Sequence, residues 1–317
     1  MNVLVTGAAG LFGVHMVDKL VKREDVHKVY GVDNFSRNFF SQDPFIKSPE
    51  FDKKFVLIKK NYKEMDTHTL NLLEIDTIIH FAAYVSIDES MRSPFEYFEN
   101  NEAATFQFIQ NIFKTKQQPR LIFASSPEVY GNPLKLPMDE EHPMHPRSFY
   151  AATKLAGEKH CMALFEWYGY PANVIRNFNT YGENQNVWGY SAVIPAFIEN
   201  ALKGNPLKIQ GDGKNTRDFL YVKDAVDAYD KLLSRNDMNG EIFNIGTGKQ
   251  TSVLQVANLI KSLTDSDSQI IHSEPRKGDL SALEADISKI KKKLNWEPKH
   301  SLKDGLSNTI KWYREFI

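Results

Sequence analysis

The sequence predicts an α/β fold: a doubly wound parallel sheet with a smaller α/β lobe beside it. Three observations carry that prediction. Short apolar runs alternate with amphipathic stretches through the first half of the chain, the pattern of a parallel sheet with helices on both faces. The runs are continuously apolar, as strands buried on both sides require. A glycine-rich turn, Gly7 to Gly13, joins the first apolar run to the first amphipathic stretch.

Taken in order, Asn2–Thr6 reads as a strand and Leu11–Arg23 as a helix, with Val14, Val17, Leu20 and Val21 on one face. Val29–Val32, Phe55–Lys59, Thr77–Phe81, Leu121–Ala124 and Val174–Arg176 read as further strands, and Glu99–Phe113 and Ser148–Trp167 as helical. After about residue 177 the texture changes. Asn177, Asn179, Gly182, Asn184, Asn186 and Gly189 crowd together, and a looped region runs on past Gly204, Gly211 and Gly213. Val222–Ser234 then reads as a helix, Ile242–Ile245 as a strand, and Val253–Leu263 and Ile287–Leu294 as helical. This divides the chain into a sheet domain over 1–177, rejoined by about 220–247, and a smaller lobe made mainly of 178–317.

Composition narrows the function classes. The 317 residues are 42% hydrophobic and 25% charged, an ordinary globular balance with length enough for a sizeable core. A net charge of -1 gives no electrostatic reason to bind nucleic acid or a membrane surface. The single cysteine, Cys161, allows neither an internal disulfide nor a cysteine zinc cluster, so no metal is expected and a reducing compartment fits. No apolar run approaches the ~20 residues of a membrane span. Val3-Leu4-Val5 starts a strand with no basic leader before it, so a cytoplasmic location is expected.

The turn Thr6-Gly7-Ala8-Ala9-Gly10-Leu11-Phe12-Gly13 carries the first chemistry. Glycines there permit a tight turn and close backbone approach to a pyrophosphate, and the helix that begins there offers free N–H groups and positive potential. Asp33 ends the next strand, 20 residues beyond Gly13. A carboxylate there accepts hydrogen bonds from adenosine ribose hydroxyls and repels a 2′-phosphate, which favours NAD over NADP. Arg37 close by leaves NADP open, since a cation can accommodate that phosphate. The spacing Gly-x-x-Gly-x-x-Gly resembles the extended short-chain dehydrogenase/reductase superfamily, which builds on a Rossmann sheet.

Tyr150 and Lys154 stand four residues apart on a helical stretch, so a phenol and an ammonium face one side. A phenol with a pKa of about 10 is a poor base near neutrality, and a nearby cation favours its ionised form. Ser125-Ser126-Pro127-Glu128 comes directly after a buried strand, which puts the Ser126 hydroxyl at the strand end where open parallel sheets bind ligands. Together these pieces resemble the NAD-dependent nucleotide-sugar epimerase/dehydratase family, over the length of the chain. His80-Phe81-Ala82-Ala83, Asn101 with Thr105, Arg176-Asn177-Phe178-Asn179, the loop from Gly211 to Arg217 and Arg276-Lys277-Gly278-Asp279 all resemble family segments. Ala104 departs from the usual glycine, and Asn61-Tyr62 departs from the Asp plus aliphatic commoner at the adenine.

The resemblance implies a set of roles. Ser126, Tyr150, Lys154 and Glu128 become the catalytic candidates. Gly7, Ala9, Gly10, Leu11, Phe12, Gly13, Asp33, Asn34, Asn61, Tyr62, Phe81, Ala82, Ala83 and Asn101, with Tyr150 and Lys154, become the NAD-binding set. Ser86, Ser126, Asn179, Val193, Arg217 and Arg276 become the substrate-binding set, the two arginines for a diphosphate. Tyr150 as phenolate takes a proton from the sugar C4 hydroxyl, a hydride leaves that carbon for NAD and later returns. The step after the oxidation stays open. A C4-epimerase of a UDP-sugar needs no further acid or base and is the preferred reading. A 4,6-dehydratase needs an acid/base at C5 and C6, for which Glu128 stands ready, although Pro127 replaces the Asp found in one dehydratase group. A decarboxylase would lose the C6 carboxylate instead. Leu283, seven residues after Arg276, stands where some epimerases have an aromatic against the C2 substituent, so an N-acetyl group is expected to fit. From another class, a non-catalytic NAD-binding module would have no use for an activated phenol. A homodimer is expected through the helices at 99–113 and 148–167, where Phe106, Phe108, Met162, Phe165 and Trp167 offer apolar surface.

Overall fold

A computed structural model describes residues 1–37, 43–186, 192–275 and 278–316. The first half runs β1 (Asn2–Thr6), α1 (Leu11–Val21), β2 (Lys28–Val32), α2 (Pro49–Lys54), β3 (Phe55–Ile58), α3 (Thr67–Leu72), β4 (Thr77–His80), α4 (Ile87–Arg92), α5 (Pro94–Tyr97), α6 (Ala104–Phe113), β5 (Arg120–Ser125), α7 (Phe149–Tyr168) and β6 (Ala172–Asn177). The second half runs β7 (Thr180–Tyr181), α8 (Val193–Leu202), β8 (Leu207–Gln210), β9 (Thr216–Arg217), β10 (Leu220–Tyr221), α9 (Val222–Leu233), β11 (Ile242–Ile245), β12 (Thr251–Ser252), α10 (Val253–Thr264), β13 (Ile270–Ser273), α11 (Ser288–Leu294) and α12 (Leu302–Tyr313).

Seven strands form one sheet in the order β11-β6-β5-β4-β1-β2-β3, and every pairing in it is parallel. Strand order reverses between β1 and β4, so the connections leaving those two strands diverge and open a crevice at their C-terminal ends. The pleat sends alternate residues to opposite faces. Val3 and Val5 join Ile79, Ile122 and Ile175 in one apolar cluster, and Leu4 joins Ile78, Leu121, Phe123 and Val174 in the other. The first cluster is covered by α1 and α9, the second by α6 and α7, which supply Phe108, Ile112, Cys161 and Leu164. Among the described residues no helix is long and apolar enough to cross a membrane.

The strands and helices that the sequence reading names fall within a residue or two of their expected ends, whereas α8 and β8 stand in the stretch it reads as looped. The segment read as one helix over 99–113 instead widens to a π-type turn at Phe98–Ala103 before α6. The C-terminal helix α12 was not expected. Its start is written in the capping box of Ser301 and Asp304, but Gly305 sits inside its first turns and disfavours a helix. The glycine is there for packing: a Cβ on Gly305 would lie 2.2 Å from the Tyr181 hydroxyl.

The seat of α7 on the sheet matters most, because that helix carries the phenol and the ammonium. Gly157 lets α7 approach β5 so closely that an added Cβ would meet the Phe123 ring at 2.4 Å. Phe123 is itself fully buried and has nowhere to turn. Gly157→Val is therefore expected to lower stability by roughly 3 kcal/mol through overpacking, despite removing a helical glycine. Urea denaturation of the two proteins checks this.

Candidate functional site

A cavity of about 430 Å³ runs along the C-terminal ends of the sheet strands. Its floor at one end is the glycine turn. Gly7 adopts φ +68, and a Cβ there would lie 2.9 Å from the Ala82 amide nitrogen. Gly13 lies behind the turn, where a Cβ would stand 2.1 Å from the Gly7 carbonyl oxygen. So Gly13 shapes the turn from outside the cavity, while Gly7, Ala9, Gly10, Leu11 and Phe12 border it. Phe12 stacks on Phe81 with ring centroids 5.2 Å apart, giving the cavity an apolar patch. Ala82 and Ala83 continue the wall from Phe81.

Asp33 borders the same end. Its carboxylate accepts the Ala9 N–H at 3.0 Å and the Phe35 N–H at 2.7 Å. Burial raises its pKa, and those two bonds oppose the rise. Asn34 also borders the cavity, accepting the Ser36 N–H at 3.1 Å. Asn61 caps the short turn at Tyr62–Glu64, and both Asn61 and Tyr62 line the wall. The Tyr62 hydroxyl donates to the Asn100 carbonyl and meets Thr105 Oγ1, which in turn meets His80 Nε2 at 3.2 Å. Burial holds His80 neutral, with a pKa pushed down to about 3. This end fits a dinucleotide: a concave turn that tolerates no Cβ at Gly7, a carboxylate beside it and an apolar shelf.

The other end gathers the catalytic candidates. Ser126 closes β5, and its Oγ accepts the Glu128 N–H at 3.3 Å, so the short turn Pro127–Val129 is capped from inside the cavity. Tyr150 and Lys154 come from the first turns of α7, whose start is capped by Ser148 accepting the Ala151 N–H at 3.1 Å. Ser126, Glu128, Tyr150 and Lys154 all line the cavity. Lys154 is 5% exposed and donates to the Ala124 carbonyl at 2.8 Å. Burial pushes its pKa down to about 8, with Glu158 opposing the fall. Ser86 and Asn179 border this region too. Asn179 Oδ1, Gln185 Oε1 and Ser125 Oγ are buried without a hydrogen-bond partner, and all three residues line the cavity. Buried polar atoms left unpaired suit a site built to meet a polar ligand.

Several expected residues lie elsewhere. Asn101 is not in the lining. Its amide is occupied by the Tyr84 backbone, accepting the N–H and donating to the carbonyl at 2.8 Å each, so it braces the wall from behind. Val193 begins α8 just beyond the lining residue Ala192. Arg217 is turned into the protein, donating to Asp279 Oδ1 at 2.6 Å and to the Thr216 and Leu280 carbonyls at 2.8 Å. Arg276 lies outside the described residues. Leu283 is fully buried in an apolar cluster with Val129, Tyr130, Met138 and Phe178 and does not border the cavity. The structure therefore does not set Leu283 against the cavity, where the sequence reading expects it to leave room for an N-acetyl group.

Sequence reading missed the wall contributed by Tyr84, Glu89, Asn177 and Asn184. The Asn177 amide bridges the Ser125 carbonyl at 3.0 Å and the Tyr229 hydroxyl at 2.9 Å. Asn184 donates to the Ala9 carbonyl at 3.1 Å, tying the second half of the chain to the glycine turn. The only early signal was the cluster of asparagines after residue 177. Arg37 pairs with Glu89 at 2.9 Å and stacks over the Tyr84 ring at 4.2 Å, so its charge already has a carboxylate partner.

Residues 4–309 match the family model described as GDP-mannose 4,6 dehydratase. The chain belongs to the NAD-dependent nucleotide-sugar epimerase/dehydratase family of extended short-chain dehydrogenase/reductases. It is 35% identical over 321 residues to a trifunctional UDP-glucose 4,6-dehydratase/UDP-4-keto-6-deoxy-D-glucose 3,5-epimerase/UDP-4-keto-L-rhamnose-reductase of Arabidopsis thaliana, covering 99% of this chain and 47% of that longer protein. Its fold matches a UDP-glucose 4-epimerase of Thermotoga maritima with UDP-glucose, at TM-score 0.89 and 34% identity over 99% of both chains. It also matches a UDP-glucuronic acid 4-epimerase of Bacillus cereus in complex with UDP-glucuronic acid and NAD, at TM-score 0.89 and 29% identity over all of both chains.

For this family member the buried ammonium has a stability consequence. A lysine whose pKa falls to about 8 on folding binds fewer protons folded than unfolded, so its cost is fully present below pH 8 and fades as pH rises towards the unfolded value. Lys154→Met is expected to stabilise nucleotide-stripped protein at pH 7 by on the order of 3 kcal/mol. The advantage should vanish towards pH 10.5, the ordinary lysine value. Denaturation midpoints across that range check it.

Proposed function

We propose that this protein transiently oxidises the sugar of a nucleotide diphosphate sugar at C4, with NAD as resident cofactor, and that its reaction is C4 epimerisation of a UDP-sugar. The observation that carries the reading is the meeting, in one cavity, of the Gly7–Phe12 turn and Asp33 at one end with Ser126, Tyr150 and Lys154 at the other. Residues 1–177, with about 220–247, form the cofactor domain, and 178–317 mainly hold the nucleotide sugar.

The Gly7–Phe12 turn would hold NAD, which when bound would supply a reversible hydride acceptor for the sugar carbon. Asp33 holds the adenosine ribose hydroxyls and disfavours a 2′-phosphate, while Arg37 is engaged with Glu89. At the reacting end Tyr150, as phenolate, accepts the proton of the C4 hydroxyl. The Ser126 hydroxyl donates to the oxygen as it becomes a carbonyl. The Lys154 ammonium favours the phenolate and binds the nicotinamide ribose. Asn179, with an unpaired Oδ1, contacts the sugar. After the keto sugar turns over, Tyr150 returns its proton to the C4 oxygen. Arg217 and Arg276 serve the diphosphate, which requires Arg217 to exchange Asp279 for phosphate oxygens. The phosphates anchor the substrate while the sugar reacts.

A second reading rests on one observation: Glu128 lines the cavity beside Ser126. A 4,6-dehydratase would use that carboxylate both to take the C5 proton and to protonate the departing C6 hydroxyl, with Pro127 unable to share the task. We further propose a cytoplasmic location and a homodimer through α6 and α7. On that face Phe106 and Trp167 are exposed, whereas Phe108 and Met162 belong to the core.

Incubating the purified protein with UDP-glucose, UDP-N-acetylglucosamine, UDP-glucuronate, dTDP-glucose and GDP-mannose, without added cofactor, and following proton NMR tests the proposal. A mixture of C4 epimers is expected. A new C6 methyl signal with a 4-keto sugar would instead establish the dehydratase. No change in any sample would count against both. Tyr150→Phe is expected to lower turnover by roughly 10²- to 10⁴-fold.

A further inference from the structure

Tyr150, Lys154 and Glu158 recur every four residues on α7 and so form one stripe. Lys154 and Glu158 are both buried, at 5% and 1% exposure. The Glu158 carboxylate takes part in a closed arrangement with β6. Arg176 Nε donates to Oε1 at 3.0 Å and Nη2 donates to Oε2 at 2.8 Å. The third guanidinium nitrogen is held by the Tyr130 hydroxyl at 2.8 Å and the Glu140 carbonyl at 3.0 Å. Neither partner of this pair can swing to solvent, and the carboxylate is fixed one helical turn from the ammonium.

Among the described groups around these charges, Glu158, one helical turn from Lys154, is the anion that acts on the ammonium. From β5 come the Ala124 carbonyl and the face of Phe123, whose ring centroid lies 5.1 Å from the ammonium. From β4 comes His80, neutral because burial holds its pKa near 3. On α7 itself, Cys161 stays a thiol because burial and Glu158 both raise its pKa. Behind Arg176, burial pushes Tyr130 up to about 12 and raises Glu140 as well. Burial lowers the Lys154 pKa and the Glu158 charge opposes that fall.

We propose that Glu158, fixed by Arg176, is a positioning residue for the reaction: its carboxylate keeps the Lys154 ammonium charged beside Tyr150 inside a dry cavity wall. The proposal rests on Tyr150 acting as the base and Lys154 as the cation that favours its phenolate. It assigns catalytic consequence to an ion pair that touches neither cofactor nor sugar. An ammonium that lost its proton would no longer favour the Tyr150 phenolate, so the high-pH limb of turnover should report the Glu158 charge.

The test measures the pH dependence of kcat, together with ultraviolet phenolate titration against a Tyr150→Phe reference, in the NAD-loaded enzyme. In Glu158→Gln the high-pH limb is expected to fall by about one pH unit, and Tyr150 to ionise at higher pH. Because Glu158→Gln leaves Arg176 buried and unpaired, that variant is destabilised. The double variant Glu158→Gln/Arg176→Met removes both charges and is expected to recover stability while the limb stays displaced. A wild-type limb in a folded single or double variant would overturn the proposal. Full turnover in Lys154→Met would overturn the assigned role of Lys154 and the Glu158 proposal with it, whereas loss of turnover there beside a wild-type limb in Glu158→Gln would overturn the Glu158 proposal alone.

Discussion

An ammonium held out of water at the end of β5 is the constraint on which the arrangement of this protein depends. Lys154 has the Ala124 carbonyl as its hydrogen-bond acceptor and the face of Phe123 beneath it. Such a group is stable only where its surroundings are fixed. Gly157 lets α7 settle against Phe123, the Glu158–Arg176 pair ties α7 to β6, and Ser148 caps the helix so that its first turn begins at Phe149. Packing, capping and charge act on one helix and hold one stripe of side chains at the sheet edge. The folded state is less stable for the charge it buries, and the Tyr150 phenol stands one turn away on the same helix.

The fold was largely legible because burial on both faces writes itself directly into a strand as an unbroken apolar run. β1, β4 and β5 show this plainly. The glycine turn was legible for the complementary reason: at Gly7 and Gly13 backbone lies where a side chain would have to be. Residues whose function depends on direction were less legible. Asn101 and Leu283 have the right spacing, yet one braces Tyr84 from behind and the other packs against Phe178. Spacing places a residue on an element but does not say which way a strand-end loop turns. Arg217 shows a further limit, since no local pattern signals that Asp279, 62 positions on, holds it away from the cavity. α12 escaped notice because its glycine obeys Tyr181, a residue more than a hundred positions away.

The walls of the cavity come from segments far apart in the chain, and a few polar contacts join them. Asn184 reaches the Ala9 carbonyl in the glycine turn, and Arg37 reaches Glu89 across from the end of β2. Asn177 links the ends of β5 and β6 to Tyr229 of α9. An enzyme that removes a hydride and later replaces it must keep cofactor and keto sugar together between the two steps. A cavity whose glycine turn, strand ends and second-half loop are tied to one another meets that demand better than a hinged cleft would. The place of Glu128 in that wall gives it its significance. A carboxylate beside Ser126 either stays clear of C5 and C6, in which case the keto sugar can only be reduced again, or reaches them and allows water to leave first. On the proposed mechanism the chemistry shared by both readings is set by Tyr150, Lys154 and Ser126, and the outcome by the reach of that one side chain.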